Sequence, residues 1–223
     1  TMRSARLEIA VAVTTTLCKE AQIAHELSHT SAIALGRLLT AVALVALTAK
    51  RKGSTSAQIL TRTTLKQLFA DATHEGHVRG FARNPNLAFP LFAGERVDGR
   101  RSLSPAVLPG DLYVIRSLDR AGEYNQSATP IVTGEIDTDL EHFLMHSDQI
   151  ATALACDTVV DGEGHVVGAA GVLVQALPGG DIDRLQTIRA AIADGCLVDH
   201  LERARSVERI LAAVAPGAEI VDS

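Results

Sequence analysis

The sequence predicts an α+β fold: a strand-rich core to about residue 178, built round one buried helix, then a small helical tail. Three observations predict it. Between Ala32 and Ala49, the residues Leu35, Leu38, Leu39, Val42 and Ala46 recur at helical spacing in a stretch apolar almost all round, the pattern of a helix buried on every side. Several other segments alternate with the two-residue period of strands. At Pro178-Gly179-Gly180 the texture changes to short amphipathic helical patterns.

In order, Leu7–Val13 (LEIAVAV) reads as a strand, and residues 17–29 as a weakly patterned helix. Thr30 or Ser31 offers an N-cap to the buried helix, which Lys50-Arg51-Lys52-Gly53 would end, with cations at the negative dipole end and a glycine for a left-handed cap. Residues 57–83 suit two or three strands with a turn near His74-Glu75-Gly76, broken by Asn84-Pro85. Residues 86–110, rich in proline and glycine, suit loops and short strands. Asp111–Arg116 reads as a strand, and Asp137 can cap a helix running to about Ser147. Thr158–Val160 and His165–Leu177 form a hairpin around Asp161-Gly162-Glu163-Gly164. Beyond Gly180, three helical stripes follow: Leu185, Ile188 and Ile192; Leu197, Leu201 and Ala204; Val207, Ile210, Leu211 and Val214. The expected domains are therefore a core at 1–178 and a helical linker region at 179–223.

Composition narrows the function. Apolar residues make up 47% of 223, enough for a large core, and the net charge of −5 with no long basic cluster argues against a nucleic-acid partner. Aromatics, at 3%, are too few to suggest base stacking or a small-ligand pocket. The longest apolar run, Leu38–Leu47, is interrupted by Thr40 and too short for a bilayer, so no membrane role is expected. Cys18, Cys156 and Cys196 are odd in number and widely spaced, unlike a disulfide framework, and suit a reducing, cytoplasmic setting.

One catalytic motif is literal: His25-Glu26-Leu27-Ser28-His29 matches H-E-x-x-H. On a continuous helix the two histidines would share a face and hold zinc, with Glu26 as general base. A zinc-dependent hydrolase is therefore one alternative. The third ligand is missing, since Ala32 and Leu35 stand where the extended motif needs Gly and His. His142 and His146 also stand four apart, and a solvated helix face explains them more simply. There is no G-x-S-x-G and no phosphate-binding glycine loop, so no catalytic residue is assigned and the chain is not expected to be an enzyme.

Four stretches together resemble one family. They are Ala34-Leu35-Gly36-Arg37 with Leu38-Leu39-Thr40-Ala41; Val78-Arg79-Gly80-Phe81 with Asn84-Pro85; Thr133-Gly134-Glu135-Ile136 with Asp139 and Ser147-Asp148-Gln149; and Ala170-Gly171-Val172-Leu173-Val174-Gln175-Ala176-Leu177-Pro178-Gly179. Their order and spacing are similar to those of the redox-regulated heat-shock chaperones, the thirty-three-kilodalton chaperonins, across essentially the whole chain. Thr133 and Asp148 replace the family's usual Ser and Glu, and aromatics usual near His142-Phe143 are fewer.

The resemblance implies a layered β/β/α core and an ATP-independent holdase that binds unfolding client proteins and prevents their aggregation. It implies a C-terminal module in which four thiolates bind zinc and hold the chaperone inactive until oxidation releases the metal. The three cysteines here do not match that switch, so no cofactor is expected in this chain and zinc only in the module it lacks; a truncated chain is favoured over a divergent one. Leu197, Leu201, Val207, Ile210, Leu211 and Val214 are the candidate client-binding residues, against the plainer possibility that their stripes pack on the core. A homodimer is expected, formed by exchange of the tail about the hinge at Pro178-Gly179-Gly180. A dimeric scaffold without chaperone activity is the remaining alternative.

Overall fold

The computed structural model describes residues 6–49, 52–87, 96–97, 100–118, 123–193, 197 and 206–216. The strands are β1 (Leu7–Val13), β2 (Gly53–Thr61), β3 (Gln67–Thr73), β4 (Val78–Ala82), β5 (Arg96–Val97), β6 (Arg100–Arg101), β7 (Gly110–Leu118), β8 (Tyr124–Pro130), β9 (Thr152–Val160) and β10 (Val166–Ala176). The helices are α1 (Thr15–Ala24), α2 (His29–Leu47), α3 (Ser104–Val107), α4 (Ile136–Ser147), α5 (Ile182–Ala193) and α6 (Val207–Val214). The α+β class is borne out.

Two antiparallel sheets flank α2: a five-stranded one in the order β4-β3-β2-β7-β8 and a three-stranded one in the order β1-β10-β9. β5 and β6 pair separately. From Thr30 to Ala46 every residue of α2 is buried, as its all-round apolar character requires. It is long and apolar enough to cross a bilayer by length and composition, yet nearly all of it lies buried inside the fold. One hydrophobic cluster joins it to both sheets through Ile59, Leu68, Leu112, Leu154, Cys156 and Leu173. A second forms on the far face of the three-stranded sheet, where Leu185, Ile188, Ile192, Ile210 and Val214 of the tail meet Ala153, Ala155, Ala170, Val172 and Val174.

Three helices differ from the sequence reading: the one read at 17–29 is α1, Thr15–Ala24; α4 starts at Ile136 with Glu135 at its N-cap, so Asp137 lies inside its first turn and does not cap it; and α2 differs at both ends. α2 starts three residues earlier, at His29, because Ser28 is already extended (φ −63°, ψ 162°) and its carbonyl accepts from Ala32 N–H at 2.8 Å. It ends at Leu47, where the backbone N–H of Thr48 closes the last turn on Leu44 O at 3.1 Å. Residues 50 and 51 of the expected basic stop lie outside the described residues. The turn at 74–76 is present, with Gly76 at φ +88° where an L side chain would be strained.

Candidate functional site

The four motifs that carried the resemblance prove to be the joints of the core. Arg37, on α2, is 1% exposed and reaches two carboxylates. Its Nε and Nη2 donate to Asp157 Oδ1 on β9 at 3.1 and 2.9 Å, and its Nη1 donates to Glu135 Oε2 at 2.9 Å. Glu135 Oε1 in turn accepts from Ser102 Oγ at 2.6 Å and Leu103 N at 2.9 Å. A buried charge survives only when paired and fully hydrogen-bonded, and this one ties α2, β9 and the segments before α3 and α4 together. Gly36 lets β9 approach: a Cβ there would sit 2.5 Å from Thr158 Oγ1. Gly171 does the same beside Cys156 Sγ at 2.7 Å, and Gly80 beside the Phe69 carbonyl at 2.4 Å. Asp139 holds the loop before α4 by accepting from the N–H groups of Val132, Thr133 and Gly134 at 2.8 to 3.0 Å.

α4 also shields the open edge of the three-stranded sheet. Along β9, the N–H groups of Leu154, Cys156 and Thr158 point away from β10 and would be unpaired. Carboxylates take all three: Glu141 Oε2 accepts from Leu154 N at 2.7 Å, Asp137 Oδ2 from Cys156 N at 2.9 Å, and Asp157 Oδ1 from Thr158 N at 2.8 Å. Asp137 and Glu141 lie one turn apart on α4, so one helix face reads two successive outward amides. Glu141 Oε1 pairs with Arg189 of α5, linking this edge to the tail. Burial pushes the Glu141 carboxyl above its ordinary range, against the opposite pull of Leu154 N–H and Arg189; neighbouring Asp137 adds to the rise.

The tail begins where the sequence changes. Gly179 adopts φ +76°, and Gly180 N–H closes a turn on Leu177 O at 2.7 Å. Asp181 Oδ1 accepts from Arg184 N at 2.9 Å and caps α5. Of the candidate client-binding residues, Leu197, Ile210 and Val214 are buried, Val207 and Leu211 are half-buried, and Leu201 lies outside the described residues. In this conformation the apolar stripes of α5 and α6 therefore face the sheet. The sheet surface beneath them is mostly alanine and valine, with Leu7 and Ile9 of β1 packed at its side.

The H-E-x-x-H motif is split. α1 ends at Ala24, Glu26 takes a left-handed φ of +50°, and His29 begins α2. The histidines therefore share no helix face, and the geometry that makes the motif a zinc site is missing. On α4, His146 Nδ1 bonds the His142 carbonyl at 2.8 Å. Among the described residues, no three His, Cys, Asp or Glu side chains come together as a metal site. Cys18 and Cys156 are each buried, and Cys196 lies outside the described residues. Burial pushes the Cys18 thiol up to about 11, despite nearby hydroxyls of Thr14, Thr40 and Thr158. A thiol held that far from ionisation is a poor redox nucleophile. The described residues do not fit the zinc switch that the resemblance implies.

A family model described as "Hsp33 protein" matches residues 1–222. The 33 kDa chaperonin of Thermus thermophilus is 37% identical over 213 residues, 95% of this chain and 61% of that protein. That of Symbiobacterium thermophilum is 35% identical over 210 residues, 92% of this chain and 69% of that protein. The crystal structure of the 33 kDa chaperonin (heat shock protein 33 homolog) of Thermotoga maritima superposes with a TM-score of 0.83 at 26% identity, covering 96% of this chain and 72% of that one. The chain thus spans about six tenths of the length of the Thermus relative.

Proposed function

Since this chain belongs to the Hsp33 family, we propose that it is the core of an ATP-independent holdase chaperone, which binds unfolding proteins and prevents their aggregation, under redox control in the full-length protein. The observation that carries this reading is the chain-wide family match, joined to a tail whose apolar stripes rest on an apolar sheet face. Parting α5 and α6 from that face uncovers two complementary apolar surfaces at once, including Leu197, Val207, Ile210, Leu211 and Val214, while α2 keeps the rest of the sheet folded. The chain acts by binding and not by catalysis, in the cytoplasm, on unfolded client proteins, with no nucleic-acid or membrane partner. Zinc belongs to a thiolate module beyond the matched residues, and the buried, unreactive Cys18 is consistent with the redox chemistry lying there. The turn at Leu177–Gly180 is a hinge about which tails exchange in a homodimer.

Light scattering of a heat-unfolded client, with and without this chain, tests the reading in reducing and in oxidising buffer. Equal suppression of scattering in both is expected, because the regulating thiols lie elsewhere. No suppression in either would favour a scaffold without chaperone activity.

A further inference from the structure

The two sheets treat their edges differently. On β9 the outward amides are taken by carboxylates. β4 is short and carries Arg79, whose side chain is 81% exposed, and charge on an edge discourages pairing. β1 bears Glu8 and has α6 packed beside it. β8 has none of these protections. Its sequence, Tyr-Asn-Gln-Ser-Ala-Thr-Pro, holds no charge over seven residues, and its burial is exposed or intermediate throughout.

The register says which backbone groups it offers. Ile131 N–H donates to Gly110 O at 2.9 Å, so Ile131 and Gly110 are a bonded pair of the antiparallel ladder with β7. Such pairs alternate, which turns Thr129, Ser127 and Asn125 toward β7 and leaves the N–H and C=O groups of Ala128, Gln126 and Tyr124 pointing outward. Pro130, without an N–H, ends the row. Among the described residues no hydrogen bond reaches these outward groups. Alternating donors and acceptors at strand spacing are matched by one kind of partner, another extended main chain.

We propose that the outer edge of β8 docks the extended main chain of an unfolded client, which adds to the five-stranded sheet as a sixth strand. The inference rests on the chaperone reading and deepens it, because it names the recognised group. Main-chain hydrogen bonding is indifferent to client sequence, and an uncharged edge repels neither acidic nor basic segments, the two properties a general holdase needs. The exposed side chains of Tyr124, Gln126 and Ala128 stand beside the incoming strand on the open face of the sheet.

Amide hydrogen exchange of the 223-residue chain, alone and with a reduced and carboxymethylated, permanently unfolded protein as probe, tests this directly. The amides of Gln126 and Ala128 are expected to exchange freely in the chain alone and at least about tenfold more slowly with the probe, while Ser127 is protected in both. Gln126→Pro removes one outward donor without breaking a bond to β7 and should weaken probe binding about tenfold, whereas Gln126→Ala, which keeps the main chain, should leave it unchanged. Probe binding with no slowing at Gln126 and Ala128 overturns the edge and leaves the chaperone reading standing. Failure of the parent chain to bind the probe overturns both. Protection that grows with chain concentration and needs no probe overturns the client as occupant and assigns the edge to a second copy. Should Gln126→Pro fail to fold, the exchange experiment on the parent chain still decides.

Discussion

The two faces of the three-stranded sheet are built on opposite plans. Against α2, the sheet presents Leu154, Cys156 and Leu173, closes at Gly36 and Gly171 to distances that leave no room for a methyl group, and is pinned by the buried Arg37 pairs. Against the tail it presents mostly alanine and valine side chains, and among the described residues the ion pair joining tail to core is Arg189–Glu141, whose arginine side chain is still 33% exposed. The first interface combines interdigitation with buried charge and can open only by unfolding. The second is largely apolar burial, with the partly exposed Arg189–Glu141 ion pair. The proposed uncovering of the tail's apolar surface needs both kinds on one sheet.

Removing Arg37 should have the largest effect. Arg37→Ala leaves Glu135 and Asp157 buried without their cation, and losing one partner of such a pair costs about 3–5 kcal/mol. Thermal unfolding should show one transition shifted far down, with α2 and the tail lost together. If the tail alone melted, Arg37 would not be the pin that separates the two interfaces.

Ile188→Ala tests the other face. The side chain is 2% exposed, and truncating a buried isoleucine costs about 2–5 kcal/mol. Here the loss should fall on docking: exchange at α5 amides should speed up while that of β10 changes little. Equal acceleration in both would mean that the tail and sheet open as one unit and that the contrast between the faces is false.

The buried side of this contrast was legible in the sequence and the exposed side much less so. α2 announced itself because a helix buried all round must be apolar all round, and the turn between β10 and α5 at Pro178-Gly179-Gly180 did so through its proline and glycines. β8 went unread: an edge strand exposed on one face and only half-buried on the other needs no apolar alternation, and β7 holds it by backbone hydrogen bonds. The ion pairs of Arg37 join residues 98 and 120 positions apart, a distance no local pattern spans. The letters of H-E-x-x-H carry no record of the left-handed turn at Glu26 that breaks the helix between the two histidines. Likewise, amphipathic stripes at 185–192 and 207–214 specify an apolar face but not what lies against it; the sheet residues that receive them had to come from the fold.

The smallest effect, and the one that probes the seam between the two interfaces, is the pH response of Glu141. Its carboxylate serves β9 through Leu154 N–H and the tail through Arg189, yet burial dominates and raises its pKa in the folded chain. A raised folded value means that the native state binds the proton more tightly than the unfolded state does. Glu141 therefore contributes stability that is fully present below the unfolded carboxyl pKa of about 4.3 and is lost as pH rises through the folded value. Glu141→Gln keeps an acceptor for Leu154 N–H and removes the titration. The stability of the parent chain relative to this variant should accordingly rise as pH is lowered from 7 towards 4, by about 1.4 kcal/mol for each unit that separates the two pKa values. A difference that stays flat would show that the Leu154 N–H bond and Arg189 together balance burial, and one that falls on acidification would show that they outweigh it.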